Sequence, residues 1–523
     1  MSGDDTADGP GTRGDEDTPT LAAVTDALLA VESDLDLLSR TVDGVRYWSH
    51  VRFDAQQRLL ELTGATDTAH GSGGLTTADR ARRILRGLRP SRNPWLASDT
   101  DLLVWGHERR TRREGDWHDR YCDPLLDTFD GGGANSADDP SPSWTYVESP
   151  HEGEHLTPAH TDGVRYLDPV LYGAGLADHL GDPADELPAA ERTKLRTAEA
   201  RLREAVGTAP DLVELVGRRL ARRRLERPAF RALLRRVDPD LAVVTVWYTK
   251  PTFVAVCREE EVPVAELQHG VVSPYHLGYA YPDSDARGWT GTPGVFPDYL
   301  CSWGERWADL CPLPLPEERV LPVGYPELER GRERYAEPAT RNRVTFVSQG
   351  TAGVRLSRVA CEVAERLAGA TDRHGPAGEP PELVYKLHPS EYDRWRERTP
   401  WLVDAAEAGR LRVVDDPSVD LYELFATSRA QVGVYSTALF EGLAFGCETL
   451  LVDLPGVAYM ERLVETGAAR LLPDAAAVAD AIAHGGREHG DAVAFDPDAY
   501  FRPDATEHAT RALERLANEG TPR

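Results

Sequence analysis

The chain has 523 residues, a length that suits two or three domains, with 87 acidic side chains against 59 basic ones and a formal net charge of −28. Hydrophobic residues make up 41%, enough for a core, which excludes a wholly disordered chain. The acidity excludes a general nucleic-acid binder, because phosphate neutralisation needs a basic surface. Only Lys194, Lys250 and Lys386 supply lysine. Dense carboxylates with almost no lysine suit a halophilic, salt-rich cytoplasm, where screening suppresses self-repulsion.

In chain order, residues 1–20 are polar, acidic and rich in Gly and Pro. They read as a disordered tail with no apolar core of a secretory signal. A helix is expected from Leu21 to about Leu38, a turn at Asp43-Gly44 and a short strand over Val45–Trp48. Asp101–His107 reads as a buried strand, Asp130–Ser143 as a loop, and Trp144–Glu148 as a strand. A helical region spans Pro188 to Arg236, with breaks near Pro210 and Pro228. Leu241–Trp247 and Val262–Leu267 are apolar strands flanking a short helix through Cys257.

Beyond Tyr299 the alternation becomes regular. Strands are expected at Arg343–Val347, Leu383–Leu387, Leu411–Val414, Ala430–Val434 and Thr449–Val452. Helices fall between most of them, at Gly353–Ala368, Glu391–Glu407, Asp420–Phe425 and Thr437–Phe445. Alternating strand and helix implies a parallel sheet covered on both faces. The expected fold is therefore α/β, with two Rossmann-like domains facing a cleft. The division is 1–20 as tail, 21–335 as an acceptor-side domain, 336–485 as a donor-binding domain, and 486–523 as a C-terminal helical segment.

The six cysteines form no C-x-x-C pair and no zinc spacing, and read as small buried hydrophobes in a reducing compartment. No apolar stretch is long enough to span a membrane. The expected location is the cytoplasm, with peripheral contact on the inner membrane face left open.

Ligands of open parallel sheets sit beyond the carboxyl ends of strands. Four places there carry chemistry. His269, between Gln268 and Gly270, ends one strand, and an imidazole, ordinarily titrating at about 6.5, suits general-base work. A histidine that merely caps a turn is an equally good reading of that segment alone. Lys386 and His388 close another strand on one side, with Pro389 holding His388 extended. Two such donors suit a phosphate, although 15 His and 38 Pro give about one His-Pro pair by chance. Ser436 and Thr437 open a helix whose free amides make an anion site, and Glu441 lies one turn on, able to accept from ribose hydroxyls. Ser348, Gln349 and Gly350 form a further strand-to-helix turn.

These segments, Gln268-His269-Gly270, Lys386-Leu387-His388-Pro389 and Tyr435-Ser436-Thr437 with Glu441, resemble the two-Rossmann (GT-B) glycosyltransferases of surface polysaccharide synthesis. The nearest groups are the capsule sialyltransferase-like enzymes and the CDP-glycerol glycerophosphotransferases. Pro297–Gly304 and Val323–Pro326 resemble the interdomain stretch of such proteins. The resemblance implies a base at His269, departure of the nucleotide assisted by His388, and donor phosphate on Ser436 and Thr437 with ribose near Glu441. It also implies a CMP- or CDP-type donor and a surface-glycan or lipid-linked acceptor. Of the two-acid motif of polysialyltransferases, only Val42-Asp43-Gly44 lies in a comparable place, and it matches poorly.

Asp-x-Asp triplets at Asp34/Asp36, Asp238/Asp240 and Asp283/Asp285 are expected by chance in so acidic a chain, so no cofactor and no metal is assigned. Arg218 to Arg236 holds nine arginines and one acid, Glu226. Arg222 and Arg223 at its centre suit an anionic membrane or a lipid-phosphate acceptor; a solvated helix face is the other reading. Two alternatives to a transferase stand: a nucleotide-sugar epimerase of the same architecture, and a noncatalytic glycan-assembly protein.

Overall fold

The computed structural model describes residues 18–66, 76–108, 110–130, 141–175, 181–281, 295–336, 340–369, 381–484 and 495–519. Most of the N-terminal tail and the Asp283/Asp285 pair lie outside them. Strands numbered along the chain are β1 (Leu102–Trp105), β2 (Thr111–Arg113), β3 (Asp116–His118), β4 (Trp144–Glu148), β5 (Arg165–Tyr166), β6 (Leu241–Val244), β7 (Val264–Leu267), β8 (Tyr299–Ser302) and β9 (Val320–Pro322). They continue as β10 (Arg343–Val347), β11 (Glu382–Lys386), β12 (Arg412–Val414), β13 (Ser428–Gly433), β14 (Glu448–Val452) and β15 (Ala469–Leu472).

Two parallel sheets result, ordered β5-β4-β1-β6-β7-β8-β9 and β12-β11-β10-β13-β14-β15, with β2 and β3 as a separate antiparallel hairpin. Strands buried on both faces read as continuous apolar runs, and the pleat divides them by alternate residues. Leu103, Trp105, Ala242 and Val244 join the core under helices Leu21–Asp34, Ala189–Val206 and Leu212–Val237. Leu102, Val104, Leu241 and Val243 face the opposite layer, where helix Asp123–Asp130 meets helix Ala505–Glu519. Val344, Phe346, Leu383, Ala430 and Val432 form the separate core of the second sheet, against helices Gly353–Gly369 and Ala475–His484. These two helix-covered parallel sheets are the expected α/β architecture of two Rossmann-like domains.

The chain end returns to the first sheet. Trp307 Nε1 donates to the Tyr500 carbonyl at 2.7 Å, and the Arg502 amide to the Trp303 carbonyl at 2.8 Å. A Cβ on Gly304 would lie 2.4 Å from the Ala499 carbonyl oxygen, so only glycine admits this crossing.

Several local expectations are corrected. Thr20 is not tail: its hydroxyl caps the helix that starts at Leu21. That helix ends at Asp34. The Asp43-Gly44 turn forms with both φ angles positive, but Val45–Trp48 is no strand. Val45 makes one bridge to Val42, and Tyr47–His50 is a 3-10 helix. Tyr47 and Trp48 are both buried, which a two-residue alternation with one buried face does not allow. Pro228 sits inside the unbroken helix Leu212–Val237; packing of Phe230, Leu233 and Leu234 in the core offsets the lost hydrogen bond. The expected helix Glu391–Glu407 is broken, because Pro400 forces Thr399 out of helical geometry. The strand expected to run to Trp247 stops at Val244, and Val246 takes a left-handed φ of 53°. All six cysteines are buried and free.

Candidate active site

His269 follows β7, and Tyr248 follows the neighbouring β6. The Tyr248 hydroxyl lies 3.0 Å from His269 Nε2, and the Tyr279 hydroxyl lies 3.2 Å from Nδ1. Tyr279 donates its own proton to Glu266 Oε1 at 2.8 Å. Because that proton is committed, the Tyr279 oxygen accepts from His269 Nδ1–H, which leaves the lone pair on Nε2. Glu266 is fully buried, and its Oε1 is 3.6 Å from Nδ1. Its Oε2 has no hydrogen-bond partner among the described residues. Burial keeps the two flanking imidazoles neutral, pushing His276 down to about 3 and His107 to about 4. His269 is thus not a turn cap. It is an oriented imidazole backed by a buried acid. Glu266 lies in β7 just before His269, but Tyr248 and Tyr279 carry no pattern linking them to it; adjacency of β6 and β7 brings in Tyr248, and the fold-back of the segment after β7 brings in Tyr279.

His388 plays the capping part instead. Its Nδ1 accepts from the Ser390 amide at 3.3 Å, and Glu391 Oε2 takes the His388 amide at 2.7 Å. An amide only donates, so Nδ1 is the acceptor and the neutral ring carries its proton on Nε2. A Cβ on Gly350 would lie 3.4 Å from His388 Nδ1 and 2.5 Å from Ser390 Oγ, so these two turns adjoin. Thr351, next in the Gly350 turn, hydrogen-bonds Tyr435 through their hydroxyls. Tyr435 precedes Ser436, whose hydroxyl accepts from the Ala438 amide at 3.2 Å as the N-cap. A Cβ on Gly270 would lie 3.5 Å from Thr437 Oγ1. One wall therefore runs His388, Gly350, Thr351, Tyr435, Ser436, Thr437, and meets the other at Gly270 beside His269.

Other expected ligand contacts are internal. Gln268 is buried and braces its own turn, donating to the Gly270 carbonyl and accepting from the Trp303 amide. Ser348 is buried with its hydroxyl accepting from Tyr385. Gln349 accepts the Ala352 amide through its carbonyl. Glu441 is buried and pairs with Arg120 at 3.4 Å; burial raises its pKa. Glu441 therefore fastens the two walls together. Arg120, which also donates to the Tyr422 hydroxyl at 2.9 Å, is a cleft cation that no motif marked. Asp43 is an 82% exposed turn residue whose ionic neighbour is Arg224.

Lys386 is turned inward as well, donating to Tyr392 Oη at 2.5 Å and to the Asp416 carbonyl at 3.4 Å. Burial lowers its pKa to about 8. Below pH 8 the lysine is charged in both the folded and unfolded chain. Between pH 8 and about 10.4 the unfolded chain binds the extra proton, so stability rises with pH. In urea unfolding, wild type is expected to gain about 2 kcal/mol on Lys386→Met between pH 8 and 10. A flat difference would refute the buried charge.

The Arg222 and Arg223 region is not a free cationic face. Arg223 pairs with Glu259 at 2.8 Å and is 12% exposed. Arg227 and Arg231 share Glu259, Arg235 takes Glu260, and Arg219 takes Asp54. Arg222 is half-buried beside them. Carboxylates on neighbouring segments offset part of the island's charge. No helix among the described residues is long and apolar enough to cross a membrane.

No family model matches the chain, and no curated protein matches it. Solved structures resemble it at low identity. The UDP-GlcNAc 2-epimerase from Methanocaldococcus jannaschii is 11% identical over 79% of this chain and 99% of that one, at a TM-score of 0.42. The wall teichoic acid polymerase TagF is 10% identical over 85% and 99%, at 0.40. The UDP-GlcNAc 2-epimerase from Neisseria meningitidis is 9% identical over 80% and 93%, at 0.38. Likeness of this degree leaves the reaction to be argued from the site itself.

Proposed function

We propose that the protein is a transferase that moves a sugar or a polyol phosphate from a CMP- or CDP-type donor to a hydroxyl of a surface glycan or lipid-linked acceptor. The observation that carries this reading is the hydrogen-bonded series Glu266, Tyr279, His269, which opens beside Gly270 onto the helix starting at Thr437. The acceptor hydroxyl takes the place of the Tyr248 hydroxyl at His269 Nε2 and gives up its proton there. The resulting imidazolium is stabilised by Tyr279 and the buried Glu266 carboxylate. The amides behind Ser436 and Thr437 hold donor phosphate, and His388 Nε2–H donates to the departing phosphate oxygen. The acceptor loses a proton to one wall while the leaving group gains hydrogen bonds from the other.

Calorimetry with CMP, CDP, UDP and GDP in molar salt tests the reading. A cytidine nucleotide is expected to bind tightest, and binding by none of the four would sink the transferase assignment. With the matching donor, His388→Ala is expected to cut turnover by roughly 100-fold or more. Wild-type turnover would remove His388 from the chemistry.

A further inference from the structure

Away from the cleft, three side chains from three chain segments converge. His118 ends β3, Asp123 begins helix Asp123–Asp130, and His160 lies in the segment that pairs with β3. A ring nitrogen of each histidine and a carboxylate oxygen of Asp123 all lie within 4.8 Å of one another. The two imidazoles stack at 4.1 Å between centroids and 25° between planes. We propose that His118, Asp123 and His160 bind one divalent cation of the zinc class.

The backbone of all three segments is fixed. Trp117, next to His118, exchanges two hydrogen bonds with the 158–160 segment: its amide donates to the Pro158 carbonyl at 2.9 Å and its carbonyl accepts from the His160 amide at 3.0 Å. Asp123 is buried and oriented by Thr161 Oγ1 at 2.5 Å and by the Asp119 amide at 2.8 Å. Its Oδ2 stands 3.8 Å from His118 Nδ1. Asp127 accepts from His160 Nε2 at 2.8 Å. A carboxylate on one imidazole nitrogen leaves the other unprotonated, the form that ligates, and is the usual outer partner of a metal-bound histidine. Two imidazoles and one carboxylate are a zinc-type donor set with a fourth position for water. Tetrahedral ligands at about 2.1 Å from a metal are about 3.4 Å apart, so the observed spacing closes by small side-chain rotations.

The location gives the cation a use. Between the ligands His118 and Asp123 run Asp119, Arg120, Tyr121 and Cys122. Arg120 pairs with Glu441 across the cleft, and Tyr121 donates to the His269 carbonyl at 2.9 Å. A cation on both ends of this six-residue strap pins Arg120 and Tyr121 in place.

The full chain, incubated with Zn(II) and passed through gel filtration, is expected to retain about one equivalent of zinc, and with Co(II) to show visible ligand-field bands. His118→Ala and His160→Ala should each lose more than about nine-tenths of the retained metal, and Asp127→Asn should weaken affinity roughly 10-fold. His484→Ala, on an exposed histidine elsewhere, should retain it all. Both ligand histidines are part-exposed, at 21% and 33%, and circular dichroism verifies that the alanine variants fold. Failure of the wild type to retain zinc, or retention by both alanine variants at the wild-type level, overturns the site. Neither result bears on nucleotide binding.

Discussion

His269→Asn is expected to lower turnover by about 100- to 10,000-fold while changing nucleotide affinity by less than about twofold. Asparagine keeps a polar group near Tyr248 and Tyr279 but cannot take a proton. The proposed donor-phosphate site lies on the other wall, so binding is spared. The loss should divide along the hydrogen-bonded series. Tyr279→Phe keeps the imidazole and removes the hydroxyl that joins it to Glu266. That variant should lose roughly 10-fold in kcat with little change in KM, because it acts on the charge state formed during reaction. Steady-state kinetics with the matching donor checks both. Unaltered kcat in His269→Asn would show that the acceptor proton leaves by another route.

The second large effect concerns stability. Arg52 is 1% exposed and forks onto Glu32, with Nε 2.5 Å from Oε2 and Nη2 2.9 Å from Oε1. Its Nη1 donates to the carbonyls of Leu277 and Ala280, at 2.8 and 2.5 Å. Glu32 also accepts from Trp48 Nε1. Arg52→Met leaves a carboxylate and two carbonyls buried without their donor, which costs about 3–5 kcal/mol. Urea unfolding should show this as a lowered midpoint. Arg52→Met with Glu32→Leu should recover part of the loss, since the stranded charge is gone while the orphaned carbonyls remain. The single variant should also lower kcat, because the stretch it releases, 277–280, carries Tyr279. A wild-type midpoint would mean that water reaches Glu32 in the variant and restores its solvation.

The acidic bulk of the chain bears on neither effect. Both centres are buried, where screening is weak, so the losses should persist in molar salt. By contrast, the pairs of the arginine island lie at the surface and part-exposed, and contribute less in salt.

Much of this architecture was legible in the sequence. A strand buried on both faces is predominantly apolar, and runs such as Leu102–Trp105 and Leu241–Val244 say so without reference to the rest of the molecule. The candidate site segments after β7, β11 and β13 follow from a related rule, since parallel strands end on one rim. Short edge strands such as β5, β9 and β15 escaped because two to four residues carry too little periodicity. Pro228 misled because a local rule about proline yields to the packing of Phe230 and Leu233 against the core.

What a side chain touches was a different matter. His269 and His388 look alike in sequence, each at a strand end beside Gly or Pro. Only the folded chain made one an imidazole backed by Glu266 through Tyr279 and the other the cap of its own turn. Glu441 and Lys386 were sound choices as charged residues near a cleft, yet tertiary packing turned both inward. Arg120 and the pair His118 and His160 carried no motif, because their partners lie far away along the chain. Local sequence fixes backbone preference and the face a residue occupies, through periodicity and steric limits. Which charge meets which is set by the approach of distant segments, and here that approach decided the base, the buried pairs and the candidate metal ligands.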